Sequence, residues 1–182
     1  MKKVGFIVYD HFAMWQVSLL QMFLKNAGYQ IEPLSISGGG IATDGGISIL
    51  TEPLSKANSK SYSLVLFPGG NVTEEIIEDP TLQHFLQTFD GLIAASCASA
   101  AIVAGAGILK GNYTCVPIAK ERFSRYFTSS TYTDNDVCVN DRIITSKGHA
   151  HFEFMMAVLN GLRVMQEDPR LESMALKLGR NV

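Results

Sequence analysis

The chain has 182 residues, of which 47% are hydrophobic and 18% are charged, a composition typical of a folded domain rather than of a disordered or fibrous chain. Its formal net charge of −2 argues against the strongly basic surface that nucleic acid or an anionic membrane requires. We therefore predict a single domain over residues 1–182 that binds neither of these partners.

The N-terminal apolar stretch predicts a first strand rather than a targeting segment. It follows two lysines, but it ends at Asp10 and is not followed by a small-residue cleavage site. No apolar run in the chain approaches the roughly 20 residues that cross a bilayer. We therefore expect a soluble, cytoplasmic protein.

The cysteines do not form a recognisable metal or disulfide pattern. Cys97, Cys115 and Cys138 are odd in number and lack the close spacings of a zinc site or a secreted disulfide framework. We expect at least one free thiol, and we predict neither a metal nor a cofactor.

The first strand, Val4–Tyr9, is followed by a change to helical periodicity. Phe12–Ala27 predicts a helix that Gly28 ends. The predicted apolar stripe of this helix comprises Trp15, Leu19, Met22 and Phe23, widened by Val17, Leu20 and Leu24.

Gln16 shares a face of this predicted helix with Leu20 and Phe23. Its amide should therefore point inward, where it needs hydrogen-bond partners. The residue is either a core glutamine bonded to the backbone or part of a site.

The remaining segments alternate between strand and helix patterns. We predict strands at Tyr29–Ser37, Tyr62–Phe67 and Leu92–Ser96, and a strand pair at Val137–Val139 and Ile143–Thr145. Ile41–Thr43 and Ile47–Leu50 predict an edge hairpin with a primed turn at Asp44-Gly45. Helices are predicted at Pro80–Phe89, at Phe152–Val164 and after Pro169. This alternation predicts an α/β fold with a mainly parallel sheet covered by helices on both faces.

Cys97 follows a predicted strand, and its neighbours are all small. The segment Ala94–Ala100 is typical of a nucleophile elbow, in which a sharp strand-to-helix turn exposes the catalytic side chain. The N-terminus of the following helix favours a thiolate. The alternative is an inert buried cysteine that acts as a small hydrophobe.

Two further groups follow predicted strands and should lie at the same sheet edge as Cys97. The first is Pro68-Gly69-Gly70, whose free backbone N–H groups could complete an oxyanion site with the N–H of Ala98, or could form a plain turn. The second is His149, which follows the last strand of the predicted strand pair.

These motifs resemble the ThiJ/PfpI superfamily from about Lys3 to about Val164. The matching stretches are Val65-Leu66-Phe67-Pro68-Gly69-Gly70-Asn71, the Ala-Ala-Ser-Cys-Ala elbow, Gly107-Ile108-Leu109-Lys110-Gly111, and Ile144-Thr145-Ser146-Lys147-Gly148 leading into Phe152-Glu153-Phe154. The resemblance implies a flavodoxin-like fold, commonly dimeric, with a reactive cysteine at Cys97 and oxyanion donors at Gly70 and Ala98.

The sequence departs from this superfamily at three positions. The carboxylic acid usual on the helix after the first strand is matched by Gln16, which can donate a hydrogen bond but cannot transfer a proton. The histidines that some members carry are matched by Ala98, directly after the nucleophile, and by Val116, before Pro117.

The missing acid and histidines leave proton transfer unassigned, and His149 is the local substitute. Solvated or helix-capping roles are its alternative, and such a role is our prediction for His151. Surface roles are predicted for His11 and His84, and packing roles in strand-like segments for Cys115 and Cys138.

Two functions follow from these residues. One is an enzyme in which Cys97, Gln16 and His149 act on a small electrophile such as a 2-oxoaldehyde, as a hydrolase, hydratase or deglycase or glyoxalase-like enzyme. The other is a non-catalytic redox- or ligand-sensing module in which an oxidant converts Cys97 to a sulfenic or sulfinic acid.

Overall fold

The structure, a computed structural model, describes residues 2–168 and 170–180. Within these residues the strands are β1 (Lys3–Ile7), β2 (Gln30–Ser35), β3 (Gly39–Ala42), β4 (Ser48–Pro53), β5 (Leu64–Phe67), β6 (Leu92–Ser96), β7 (Gly111–Tyr113), β8 (Ser130–Tyr132), β9 (Val137–Asn140) and β10 (Ile143–Ser146). The helices are α1 (Ser18–Asn26), α2 (Glu74–Ile77), α3 (Pro80–Thr88), α4 (Ala100–Gly105), α5 (Pro117–Arg122), α6 (His151–Gly161), α7 (Val164–Glu167) and α8 (Arg170–Arg180).

Eight strands form the central sheet in the order β3-β4-β2-β1-β5-β6-β10-β9. The strands from β4 to β10 in this order pair in parallel, whereas β3 and β9 pair antiparallel to their neighbours at the two edges. The predicted mainly parallel sheet is confirmed. Because β1, β5, β6 and β10 are parallel, the residues that follow them meet at one edge of the sheet.

Two groups of helices cover the sheet. Helix α6 packs against α1, β6 and β10, while α4 packs against α2 and β6. The predicted α/β layers are therefore present. None of the described helices is long and apolar enough to cross a membrane.

The edge hairpin is present, but its predicted primed turn is wrong. A type I′ turn needs positive φ at both Asp44 and Gly45, whereas the positive φ of 79° belongs to Gly46. The Gly46 N–H donates to the Thr43 carbonyl at 3.1 Å. The connection is therefore a three-residue loop in which the second glycine, not the first, takes the left-handed position.

The predicted apolar stripe before and along α1 is partly wrong. Met14–Gln16 forms a 3₁₀ turn, and the α-helix begins only at Ser18, so the residues before it do not keep the 3.6-residue phase. Trp15 is consequently 52% exposed, and Met22 is 37% exposed. The buried stripe consists of Val17, Leu20, Phe23 and Leu24.

Several elements were not predicted from the sequence. These are the helices α2, α5 and α7 and the small parallel sheet of β7 and β8. Cys115 is buried as expected, but it lies in the connection between β7 and α5 rather than in a strand. Cys138 is buried in β9, as predicted.

A buried cluster of hydroxyl groups joins the ends of β1, β5 and β6. The Tyr9 hydroxyl lies 2.9 Å from the Pro68 carbonyl oxygen and 2.8 Å from Ser99 Oγ, which also contacts that carbonyl. Burial raises the pKa of Tyr9, so its phenol stays protonated. Both hydroxyls are within donating distance of the Pro68 carbonyl oxygen, and either one can instead donate to the other.

We expect Tyr9→Phe to lower the free energy of unfolding by about 1 kcal/mol, because a buried hydrogen bond is lost while Ser99 still satisfies the Pro68 carbonyl. Tyr132→Phe is the matched control, since its hydroxyl donates to Asp134 at the exposed surface. Urea unfolding of both variants measures the difference. Equal losses in the two variants would contradict a structural role for the Tyr9 hydroxyl.

Candidate functional site

Cys97 lies directly after β6 in a strained backbone conformation. Its φ of 60° belongs to the left-handed region, which residues with a side chain rarely adopt. Cys97–Ser99 forms a 3₁₀ turn that leads directly into α4, and the neighbours Ser96, Ala98, Ser99 and Ala100 are all buried. The predicted sharp turn is therefore present, with the geometry of a nucleophile elbow.

Two backbone N–H groups are directed at the Cys97 sulfur. They belong to Ala98 and Gly70, and both lower the pKa of the thiol by hydrogen bonding. Gly70 has a φ of 132°, and a Cβ at this position would lie 2.6 Å from the His11 carbonyl oxygen. Only glycine therefore brings this N–H close to the sulfur.

The structure fixes the orientation of the Gln16 amide. Gln16 is 5% exposed, and its Oε1 accepts a hydrogen bond from the Gly69 N–H at 2.8 Å. Because a backbone N–H requires the oxygen of the amide, the Nε2 group is the one that donates to the Cys97 sulfur. The predicted inward-pointing amide is confirmed, and both of its ends have partners.

The acidity of Cys97 differs from the sequence-based prediction of a stabilised thiolate. Burial raises the pKa of the Cys97 thiol above its usual value, and the hydrogen bonds from Ala98, Gln16 and Gly70 offset only part of this effect. The predicted net lowering of this pKa is wrong because the half-buried sulfur loses hydration, although the Ala98 N–H in the turn before α4 does lower it. The thiol is the resting form near neutral pH.

Two further glycines allow the site to close around the sulfur. A Cβ on Gly148 would lie 2.8 Å from Gln16 Nε2 and 3.0 Å from Cys97 Sγ. A Cβ on Gly69 would lie 2.5 Å from both Cys97 Cβ and Gln16 Oε1. A side chain at either position would separate the amide from the sulfur.

The first of two clefts beside Cys97 has a volume of about 340 Å³, and we call it the His149 cleft. It is lined by Trp15, Gln16, Cys97, Val116, Pro117, Lys147, Gly148 and His149. His149 therefore lies at the predicted sheet edge, as the topology implied. Its role in chemistry stays a prediction.

The basic side chains of the His149 cleft, Lys147 and His149, both contact carboxylates. His149 Nε2 lies 3.2 Å from the Asp136 carboxylate, although the imidazole side chain is 72% exposed. Lys147 Nζ lies 2.9 Å from Asp134 and 3.8 Å from Asp136. These acids lie just before β9, which the sequence analysis did not connect to the site.

The second cleft has a volume of about 220 Å³, and we call it the Arg122 cleft. It is lined by Gly70, Asn71, Val72, Cys97, Ala98, Val116, Ile118, Ala119, Arg122 and Phe123. Both N–H donors to the sulfur lie in this cleft. Arg122 and the rest of α5 were missed because no sequence motif links this helix to Cys97.

The remaining histidines lie outside these clefts. His151 begins α6, as predicted, and its ring contacts that of Trp15 edge-on at 5.8 Å. His11 and His84 are exposed. Within residues 2–168 and 170–180, no three His, Cys, Asp or Glu side chains cluster in a way that could hold a metal ion.

Comparison with known sequences finds a family match over most of the chain. The sequence model of the DJ-1/PfpI family matches residues 2–161. The chain is also 30% identical over 113 residues to the glutathione-independent glyoxalase DJR-1.2 of Caenorhabditis elegans. That alignment covers 60% of this chain and 60% of the relative.

Comparison with solved structures supports the same fold. A DJ-1 superfamily protein from Agrobacterium tumefaciens superposes with a TM-score of 0.84 at 20% identity, covering 100% of this chain and 99% of that protein. Drosophila melanogaster DJ-1beta superposes with a TM-score of 0.75 at 22% identity, covering 86% of this chain and 88% of that protein. At these identities the likeness concerns the fold alone.

We expect iodoacetamide to alkylate Cys97 before Cys115 and Cys138, which are both buried. Burial raises the pKa of Cys115 to about 12. Because burial also raises the pKa of Cys97, its rate should still be rising at pH values above about 8.5, the value of free cysteine. Gln16→Leu removes a donor that lowers this pKa, so it should slow labelling at pH 8 by about two- to tenfold.

Peptide mapping at limiting reagent measures these rates across the pH range. The matched control is Gln87→Leu, which loses a hydrogen bond to the Ala106 carbonyl away from the site. A Gln16→Leu profile that coincides with the wild-type profile would show that the amide does not act on the sulfur.

Proposed function

The chain belongs to the DJ-1/PfpI family, and we propose that it converts small 2-oxoaldehydes to 2-hydroxycarboxylic acids with Cys97 as the nucleophile. The observation that carries this proposal is the left-handed Cys97, whose sulfur accepts hydrogen bonds from Ala98, Gln16 and Gly70 between two clefts. The relative that is named a glutathione-independent glyoxalase supports the same reaction class.

The first step is addition of the Cys97 sulfur to the aldehyde carbon. A carbon–sulfur bond forms, the carbonyl π bond opens, and the thiol proton ends on the former carbonyl oxygen. The N–H groups of Ala98 and Gly70 are the donors for the oxygen as it gains negative charge. A resting thiol is consistent with this step, because the proton that leaves sulfur is needed on oxygen.

The second step moves a proton between the two carbons of the hemithioacetal. A base removes the hydrogen from the former aldehyde carbon to give an enediol, and return of the proton to the neighbouring carbon gives a thioester. Gln16 cannot carry this proton. We assign the role to His149, since Nε2 donating to Asp136 leaves Nδ1 as the basic nitrogen of the imidazole.

Water then hydrolyses the thioester and releases the Cys97 thiol with the 2-hydroxy acid. Overall, one water is added, the aldehyde carbon is oxidised by two electrons, and the ketone carbon is reduced by two. The reaction needs no external oxidant, reductant or cofactor.

A redox-sensing role is the second candidate, and the Gln16 amide is the observation that favours it. Three hydrogen-bond donors around the sulfur suit the oxygen atoms of a sulfenic or sulfinic acid as well as a substrate oxygen. An amide also supports such an oxidised sulfur without any need for proton transfer.

We expect Cys97→Ser to abolish consumption of methylglyoxal. Cys138→Ser should retain it, because Cys138 lies in β9, contacts Thr133 and does not line either cleft. A coupled assay that detects lactate measures the rate of the reaction. If the wild type and Cys97→Ser consume the aldehyde equally, the enzyme proposal is wrong. Selective oxidation of Cys97 by dilute peroxide would then favour the sensing role.

We expect Gln16→Glu to raise the rate of aldehyde consumption. The substitution places a carboxyl group beside the buried sulfur, where burial raises the pKa of the acid and keeps it able to donate and carry a proton. The pH dependence of kcat/KM for Gln16→Glu and wild type measures the change. A rate at or below the wild-type rate over the whole pH range would show that proton transfer from this position is not limiting.

A further inference from the structure

The Arg122 cleft carries positive electrostatic character. Its lining contains the backbone N–H donors of Gly70 and Ala98 and the guanidinium-bearing Arg122, and no acidic side chain is among the residues that line it. Its other walls are mainly apolar, with Val72, Val116 and Phe123 among them. Such a cleft favours an anionic group over a neutral or cationic one.

Arg122 differs from Lys147 and His149 because, among the described residues, its guanidinium takes part in no ion pair. In the His149 cleft, both Lys147 and His149 contact carboxylates. On the surface next to α5, Arg125 pairs with Glu74 and Glu78. Within the part of the chain that the structure describes, the recorded contact of the Arg122 guanidinium is with the Phe123 ring at 4.9 Å.

Glu75, a carboxylate that interacts with the charge of Arg122, lies outside the cleft. A hydrogen bond from Thr73 is the main cause of the lowered pKa of Glu75, and the charge of Arg122 contributes to it. Glu75 is exposed and does not line the cleft. An anion inside the cleft would therefore meet Arg122 without displacing a short ion pair.

We propose that Arg122 binds an anionic group of the substrate, so that the Cys97 site selects 2-oxoaldehydes that carry a carboxylate or a phosphate. The geometry that points to this is the shared cleft: Arg122 lies at the end of α5, and the reacting sulfur and its two N–H donors line the same 220 Å³ space. At ~30 Å³ for each water in the liquid, this space holds about seven waters, enough for a three-carbon chain with one anionic group. The substrate class rests on the proposed function, whereas the anion preference itself does not.

Alkylation of Cys97 by two similar reagents tests the anion preference without any need for turnover. Iodoacetate carries a carboxylate, whereas iodoacetamide is neutral. The iodoacetate rate divided by the iodoacetamide rate, normalised to the same ratio for the thiol of glutathione, therefore reports an anion subsite beside the sulfur. We expect this normalised ratio to exceed one in the wild type and to decrease with added salt.

Arg122→Gln should lower the iodoacetate rate about three- to tenfold and leave the iodoacetamide rate within about twofold. Arg122→Lys should retain most of the preference, because it keeps the charge. Arg125→Gln is the matched control, since Arg125 does not line the cleft and should not affect either rate. An unchanged ratio in Arg122→Gln, or equal slowing by both reagents, would overturn the proposal.

Turnover supplies the second arm of the test. For Arg122→Gln, kcat/KM for hydroxypyruvaldehyde phosphate should fall about three- to tenfold relative to kcat/KM for neutral methylglyoxal. If neither aldehyde is consumed by the wild type while the alkylation preference is present, the proposed function is wrong and the anion subsite stands. If both aldehydes are consumed and Arg122→Gln affects them equally, the subsite is wrong and the proposed function stands.

Discussion

The left-handed backbone of Cys97 is the constraint on which the site depends. A φ of 60° costs on the order of 1–3 kcal/mol for a residue with a side chain, so the surrounding structure must hold it. The buried hydroxyls of Tyr9 and Ser99 meet at the Pro68 carbonyl and join the end of β5 to the turn itself. Because this turn places the sulfur between the Ala98 N–H and the Gln16 amide, the conformation of Cys97 sets the position of the sulfur relative to its donors.

Burial and hydrogen bonding act on the Cys97 sulfur in opposite directions. Burial raises the pKa of the thiol, whereas three N–H donors lower it, and burial has the larger effect. The site is therefore better suited to an anion that forms during a reaction than to a permanent thiolate. A carboxylic acid at position 16 could donate a hydrogen bond and also carry a proton, whereas Gln16 keeps only the donor. In the proposed mechanism, proton transfer is therefore assigned to the exposed His149 and its partner Asp136.

The positions of the main strands along the chain and the sharp turn at Cys97 could be predicted from sequence because they depend on local patterns. Leu92–Ser96 is a short apolar run before small residues, and its predicted bounds coincide with β6. Other features depend on contacts between distant segments. The exposure of Trp15 follows from a 3₁₀ turn that changes the helical phase, and the raised pKa of Cys97 follows from burial. Arg122 lines one cleft and Asp136 contacts His149 of the other, and both lie in segments that lack a motif, so only the folded structure relates them to Cys97.

The central claim is that the Cys97 sulfur forms a covalent bond to an aldehyde carbon. Carbon NMR of the protein with methylglyoxal labelled at its aldehyde carbon tests this claim most directly, with Cys97→Ser as the comparison. The account predicts a resonance from a carbon bonded to both oxygen and sulfur in the wild type, followed by the carboxylate resonance of lactate, and neither signal in Cys97→Ser. The same protein-bound resonance in both proteins, or lactate that forms without Cys97, would contradict it.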